Sequence, residues 1–118
     1  MEALYRKVEE MIDNFPFLDP YALDIGCGNG YNTEKLRRKT KRIIGLDVKN
    51  FVKKDYKMAF DFVLGDAKKM PFSQNTFDLV TCWDVIEHVD DDKKLLGEIY
   101  RILKPGGSIF ITVRKRKF

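Results

Sequence analysis

Cysteine and histidine are scarce in this sequence, and long apolar runs are missing from it. Cys27 and Cys82 are the only cysteines, too few for a disulfide framework. With His88 as the sole histidine, they cannot complete a four-ligand structural zinc site. Apolar stretches such as Ile109 to Ile111 fall far short of the roughly 20 residues that cross a bilayer. The opening MEALYRKVEE has no apolar core of an export signal. The expectation is a chain that neither spans a membrane nor is exported, and that resides in the reducing cytoplasm. Charge is also nearly balanced: 22 Lys plus Arg against 18 Asp plus Glu give +4, too small an excess to mark a polyanion-binding protein by itself. What is present is 44% apolar and 34% charged residues over 118 positions, which suits one packed domain, residues 1–118, with a hydrated surface.

Leu4, Val8, Met11, Ile12 and Phe15 recur at intervals of three and four, predicting an amphipathic opening helix that ends before Pro16. Tyr21 to Ile25 reads as a buried strand running into the glycine turn Gly26-Cys27-Gly28-Asn29-Gly30, with a polar helix from Asn32 to Arg38. Arg42 to Leu46 is a second strand ending at Asp47, and Phe60 to Leu64 a third ending at Gly65-Asp66. Phe77 to Cys82 is a fourth. A helix from Asp91 to Leu103 is expected to bury Leu95, Leu96, Ile99, Ile102 and Leu103, and Lys104-Pro105-Gly106-Gly107 stops it before a fifth strand, Ser108 to Val113. Strands alternating with helices imply a parallel α/β sheet with helices on its faces.

Open parallel sheets bind ligands beyond the carboxyl ends of their strands. The turn at Gly26 to Gly30 sits at such an end, where bare backbone lets a ligand approach. Tyr31 stands where a dinucleotide fingerprint needs glycine or alanine, which disfavours a nucleotide-dependent oxidoreductase. Asp47, at the tip of the next strand, is placed to accept both hydroxyl protons of a ribose, so a nucleoside without pyrophosphate fits better.

Five segments now stand in order: Leu23-Asp24-Ile25-Gly26-Cys27-Gly28-Asn29-Gly30, Gly45-Leu46-Asp47, Gly65-Asp66-Ala67 with Pro71-Phe72, Phe77-Asp78-Leu79-Val80, and Leu103-Lys104-Pro105-Gly106-Gly107. The set resembles the class I S-adenosylmethionine-dependent methyltransferases, including the ubiquinone-biosynthesis-like group. The resemblance implies a Rossmann-like, doubly wound, mainly parallel five-stranded sheet in the order 3-2-1-4-5. It implies S-adenosylmethionine as cofactor and methyl transfer to an acceptor the sequence does not identify. It places Asp24 and the backbone of Gly26, Gly28 and Gly30 near the methionine part, Asp47 on the ribose, and Asp66 with the Ala67 backbone at the adenine. Cys27, Val48 and Cys82 complete the implied cofactor-binding set, and Thr81 to Trp83 would border the methyl-transfer centre. No catalytic role falls to either cysteine.

Asp84, Glu87 and His88 would share one side of a helix, at spacing that suits a metal ion. They resemble the acidic pair plus histidine of metal-dependent O-methyltransferases, although Asp84 stands where that pattern has glutamate. A polar, capped helix start without metal is the competing reading, and His88 as a general base is a third. Trp83 either stacks on an acceptor or packs at the sheet edge. The basic run from Lys35 to Arg42 is expected at the sheet's amino end as a solvated face, with Lys49, Lys53, Lys54 and Lys57 nearer the cofactor. A small-molecule acceptor is expected over nucleic acid or protein. The resembling family has seven strands, whereas this sequence supplies five. That motivates three expectations: a homodimer through the Ile109-to-Ile111 edge, a separate partner subunit that a non-catalytic cofactor-binding module would need, or membership of a longer protein. The basic residues Arg114 to Lys117 could instead protect that edge.

Overall fold

The computed structural model describes residues 10, 11, 13, 14, 19–83, 85, 86 and 89–113. Strands β1 (Tyr21–Ile25), β2 (Arg42–Asp47), β3 (Asp61–Leu64), β4 (Phe77–Trp83) and β5 (Leu103–Thr112) form one sheet in the order β3-β2-β1-β4-β5. Every neighbouring pair is parallel, so each connection must cross over the sheet. Helix α1 (Tyr31–Arg37) joins β1 to β2, and α2 (Asp92–Ile102) joins β4 to β5.

The central strands are buried on both faces, which is why they read as near-continuous apolar runs. On one face Leu23, Ile25, Ile44, Leu46, Val80 and Cys82 pack with Leu95, Ile99 and Ile102 of α2. On the other, Ala22, Ile43, Leu79 and Trp83 pack with Leu36 of α1. Helices therefore cover both faces, as the resemblance implies. Among the described residues no helix is long and apolar enough to cross a membrane.

Several boundaries differ from the sequence reading for local reasons. The expected opening helix lies largely outside the described residues, although Glu10, Met11 and Asp13 are helical. Leu96 is 42% exposed, because adjacent helical residues diverge by about 100° and Leu95 takes the core side. Trp83 stands on β4, between β1 and β5 rather than at a sheet edge, and is buried. Residues Lys104 to Gly107 do not precede β5 but belong to it as an irregular stretch, since the register jumps from Phe77 opposite Leu103 to Leu79 opposite Ser108. An outer strand tolerates such a bulge, where Pro105 offers no N–H and Gly106 adopts φ 80°.

Gly45 lies opposite Asp24 in the β1–β2 register. A Cβ there would stand 2.8 Å from the Phe60 ring and 2.9 Å from the Cys27 sulfur, so the glycine lets both side chains press against β2. Gly45→Ala is expected to lower stability by about 1 to 3 kcal/mol through overpacking. Urea unfolding followed by circular dichroism measures this, and an unchanged midpoint would contradict it.

Candidate functional site

The carboxyl ends of β1, β2 and β3 surround a cleft of about 410 Å³. Its floor is Ile25 and Leu46, and its polar wall is Asp47, Gly65, Asp66 and the Ala67–Lys68 stretch. Val85 and Val89 form an apolar wall facing it.

The glycine turn is fastened to β2 by its own amides. Gly26 and Cys27 donate their N–H groups to the Leu46 carbonyl at 2.7 and 3.0 Å. Gly28 N–H donates to Asp47 Oδ2 at 2.9 Å, and Val48 N–H donates to Asp47 Oδ1 at 2.7 Å. One amide thus fixes each oxygen of Asp47, while each oxygen keeps further acceptor capacity. Val85 crowds directly over Gly26, where a Cβ would lie 2.4 Å from Val85 Cγ2. Gly26 (φ 71°) is therefore required both by conformation and by space.

The rest of the polar wall is a tight turn. Lys68 N–H donates to Asp66 Oδ1 at 2.8 Å and Lys69 N–H to the Asp66 carbonyl at 3.0 Å. The Lys68 ammonium then reaches Asp90 at 2.6 Å, so residues from the β3 side and from the approach to α2 meet across the cleft lining. That pairing raises the Lys68 pKa and lowers that of Asp90.

Asp24 is placed beneath the turn, not among the cleft walls. Its carboxylate is 1% exposed, accepting from Thr33 Oγ1 at 2.6 Å and Thr81 Oγ1 at 2.8 Å. Burial pushes its pKa up to about 6, against the two hydroxyl bonds, with the Asp47 charge adding to the rise. The same burial, with Asp24 and Asp47 nearby, pushes the Cys27 thiol up to about 12, so it stays protonated. Of the implied cofactor-binding positions, Gly26, Asp47, Val48, Asp66 and Ala67 line the cleft. Gly28 and Gly30 shape the turn, and Asp24, Cys27 and Cys82 are buried. Asp84, Glu87 and His88 lie outside the described residues.

Sequence reasoning named Thr81 only within the Thr81-to-Trp83 segment and missed both threonine hydroxyls as partners of Asp24. Thr81 is opposite Asp24 in the β1–β4 register, a signal visible only once those strands are paired. It also misplaced Lys57, which joins Arg37, Lys41 and Arg42 around a separate hollow at the sheet's amino end. The short helical turn Lys54–Tyr56 carries the chain back there before β3 starts. Arg42 is held by two bonds to Asp61, at 3.2 and 3.0 Å.

The native fold raises the Asp24 pKa, so it holds that proton more tightly than the unfolded chain does. The contribution of Asp24 to stability is therefore lost as pH rises from about 4 through 6. Asp24→Asn keeps the shape without the charge and is expected to be more stable than wild type at pH 8, by roughly 1 to 3 kcal/mol. Thermal melts across pH check this, and the gap should narrow below pH 6 and close by about pH 4. A pH-independent gap would contradict the assignment.

Comparison with known proteins bears on this geometry. Residues 23–111 match a family model described as a methyltransferase domain. The biotin biosynthesis bifunctional protein BioHC of Cellvibrio japonicus is 35% identical over 94 residues, which is 76% of this chain and 19% of that protein. The ubiquinone biosynthesis O-methyltransferase of Coxiella burnetii is 26% identical over 106 residues, 83% of this chain and 45% of the relative. The chain thus spans less than half the length of these curated relatives. Among solved structures, Haemonchus contortus Phospholethanolamine N-methyltransferase 2, in complex with phosphomonomethylethanolamine and S-adenosylhomocysteine, superposes with TM-score 0.80 and 28% identity, covering 92% of this chain and 28% of that one. Matched from β1 into β5, the chain belongs to the methyltransferase-domain family.

Proposed function

We propose that the chain binds S-adenosylmethionine in the carboxyl-end cleft and serves methyl transfer to a small-molecule acceptor. The observation that carries the reading is Asp47: a carboxylate at a strand tip, aimed by two backbone amides, lining a cleft beside a bare glycine turn. The residues present fit the cofactor. About 410 Å³ falls in the range of small-ligand sites, roughly 300 to 1,000 Å³. With Lys68 and Asp90 paired to each other, Asp47 and Asp66 leave the described lining net acidic, which suits a ligand with sulfonium and ammonium charges.

When bound, S-adenosylmethionine supplies a methyl group already activated for displacement. The work left to the protein is to bind, align and keep water away. Asp47 would accept the ribose hydroxyls, Asp66 and the Ala67 backbone would face the adenine, and Val85 and Val89 would shield the apolar side. Asp90 in the lining, followed by Asp91 and Asp92, favours a neutral or cationic small acceptor over a nucleic acid.

Calorimetric titration with S-adenosylhomocysteine tests this. Wild type should bind, and Asp47→Ala should lose about 1 to 3 kcal/mol of affinity, five- to more than a hundredfold. Binding of NAD with no binding of S-adenosylhomocysteine would overturn the reading.

A second reading makes the chain a cofactor-holding part completed by another strand, for instance from a second copy. It is favoured by the position of β5, outermost in the sheet, with Ile109 38% exposed. Exposed outer strands invite pairing. Sedimentation at micromolar concentration should then show a dimer whose dissociation abolishes methyl transfer. A monomer that transfers methyl groups alone would remove this reading.

A further inference from the structure

The wall that carries Asp66 and Ala67 has no strand of its own. It belongs to the connection from β3 to β4, which leaves the sheet at Gly65 and returns at Phe77. What holds its middle is a pair of charged residues on α2, one turn apart. Arg101 donates Nε to Glu98 Oε1 at 2.9 Å and Nη2 to Glu98 Oε2 at 2.8 Å, a two-pronged pair of fixed geometry. The pair then grips the connection by its backbone. Met70 N–H donates to Glu98 Oε2 at 2.8 Å, while Arg101 donates Nη2 to the Met70 carbonyl at 3.1 Å and Nη1 to the Phe72 carbonyl at 2.7 Å.

Met70 directly follows the turn in which Asp66 bridges to Lys69, and its side chain is buried in the core beneath. No slack residue separates the gripped backbone from the turn that lines the cleft. Glu98 and Arg101 themselves do not line the cleft. Partial burial strengthens the grip: Glu98 and Arg101 side chains are 19% and 36% exposed, and their pairing lowers the carboxyl pKa and raises that of the guanidinium.

We propose that Glu98 and Arg101 are positioning residues for cofactor binding: by holding both backbone groups of Met70 and the carbonyl of Phe72, they set where Asp66 and Ala67 stand against Asp47. The proposal rests on the reading of the cleft as an S-adenosylmethionine site. A lysine cannot replace Arg101, because a single ammonium cannot take Glu98 in two-pronged fashion and reach two carbonyls on diverging lines.

The test combines amide hydrogen exchange without ligand and calorimetry with S-adenosylhomocysteine. It uses Arg101→Ala, Arg101→Lys and the milder Glu98→Gln, each first shown to be folded by circular dichroism. Exchange should quicken at Met70 and back through Lys69 to Lys68, whose amides are bonded in the turn, with β1 and β2 unchanged. Affinity should fall about tenfold, the scale of one lost charge-assisted bond, and Arg101→Lys should not restore it. The loss should shrink to within about twofold when Arg101→Ala is made in an Asp66→Ala background, as coupled residues require. A merely structural pair would lower stability and leave that coupling absent. Wild-type affinity retained in the Arg101→Ala and Glu98→Gln proteins, or quickened exchange confined to Met70, would overturn the proposal alone. Failure of the wild type to bind S-adenosylhomocysteine would overturn the cleft reading beneath it.

Discussion

The site depends on one join, between the glycine turn and the end of β2. Three consecutive amides of the turn, those of Gly26, Cys27 and Gly28, are spent on the Leu46 carbonyl and the Asp47 carboxylate. Buried or half-buried backbone donors need acceptors, and an unmet one costs on the order of 1 to 3 kcal/mol. Satisfying them on β2 draws the turn toward that strand, with Val85 packed over Gly26. The same bonds fix Asp47, so the backbone arrangement that shapes the cleft also aims its acid. Gly45 enables the join from below, since any side chain there would meet Cys27 and Phe60.

Beneath the join, the fold accepts a cost. Asp24 faces α1 from the middle of the sheet, where a hydrophobic residue would pack without penalty. Two hydroxyls offset its burial only in part. Thr33 belongs to α1 and Thr81 to β4, so one carboxylate ties the first strand to the helix that follows the turn and to the neighbouring strand. A buried charge under a cleft reading as a cation site has a use that an isosteric apolar residue lacks: its field favours a positive ligand above it. Cys27 is a poor nucleophile, because burial and then the charges of Asp24 and Asp47 keep its thiol protonated.

Much of this arrangement is legible in the amino-acid sequence. Short apolar runs ending in Gly26, Asp47 and Gly65-Asp66 place three strand tips together, and the sheet order follows from the family resemblance. What stays hidden has a common physical cause: it depends on partners far apart along the chain. The Asp24–Thr81 pair is 57 positions long and needs the β1–β4 register. The grip of Arg101 on Phe72 spans 29 positions and rests on backbone groups, which carry no residue signature. Leu96 departs from expectation because apolar identity does not guarantee burial, and the helix has only one stripe to hide. The Lys104-to-Gly107 bulge departs from it because proline and glycine usually end an element, yet on an outer strand they can bend it instead.

Two hollows at opposite ends of the sheet compete as ligand sites: the acidic cleft at the strand tips and the basic one around Arg37, Lys41 and Arg42. Backbone amide shifts on adding S-adenosylhomocysteine decide between them most directly. The account requires the largest changes at Gly28 and Val48, whose acceptor Asp47 would turn part of its capacity to the ribose, and at Ala67 in the turn after β3. Changes gathered at Lys41, Arg42 and Lys57, with Gly28 and Val48 unmoved, would contradict it.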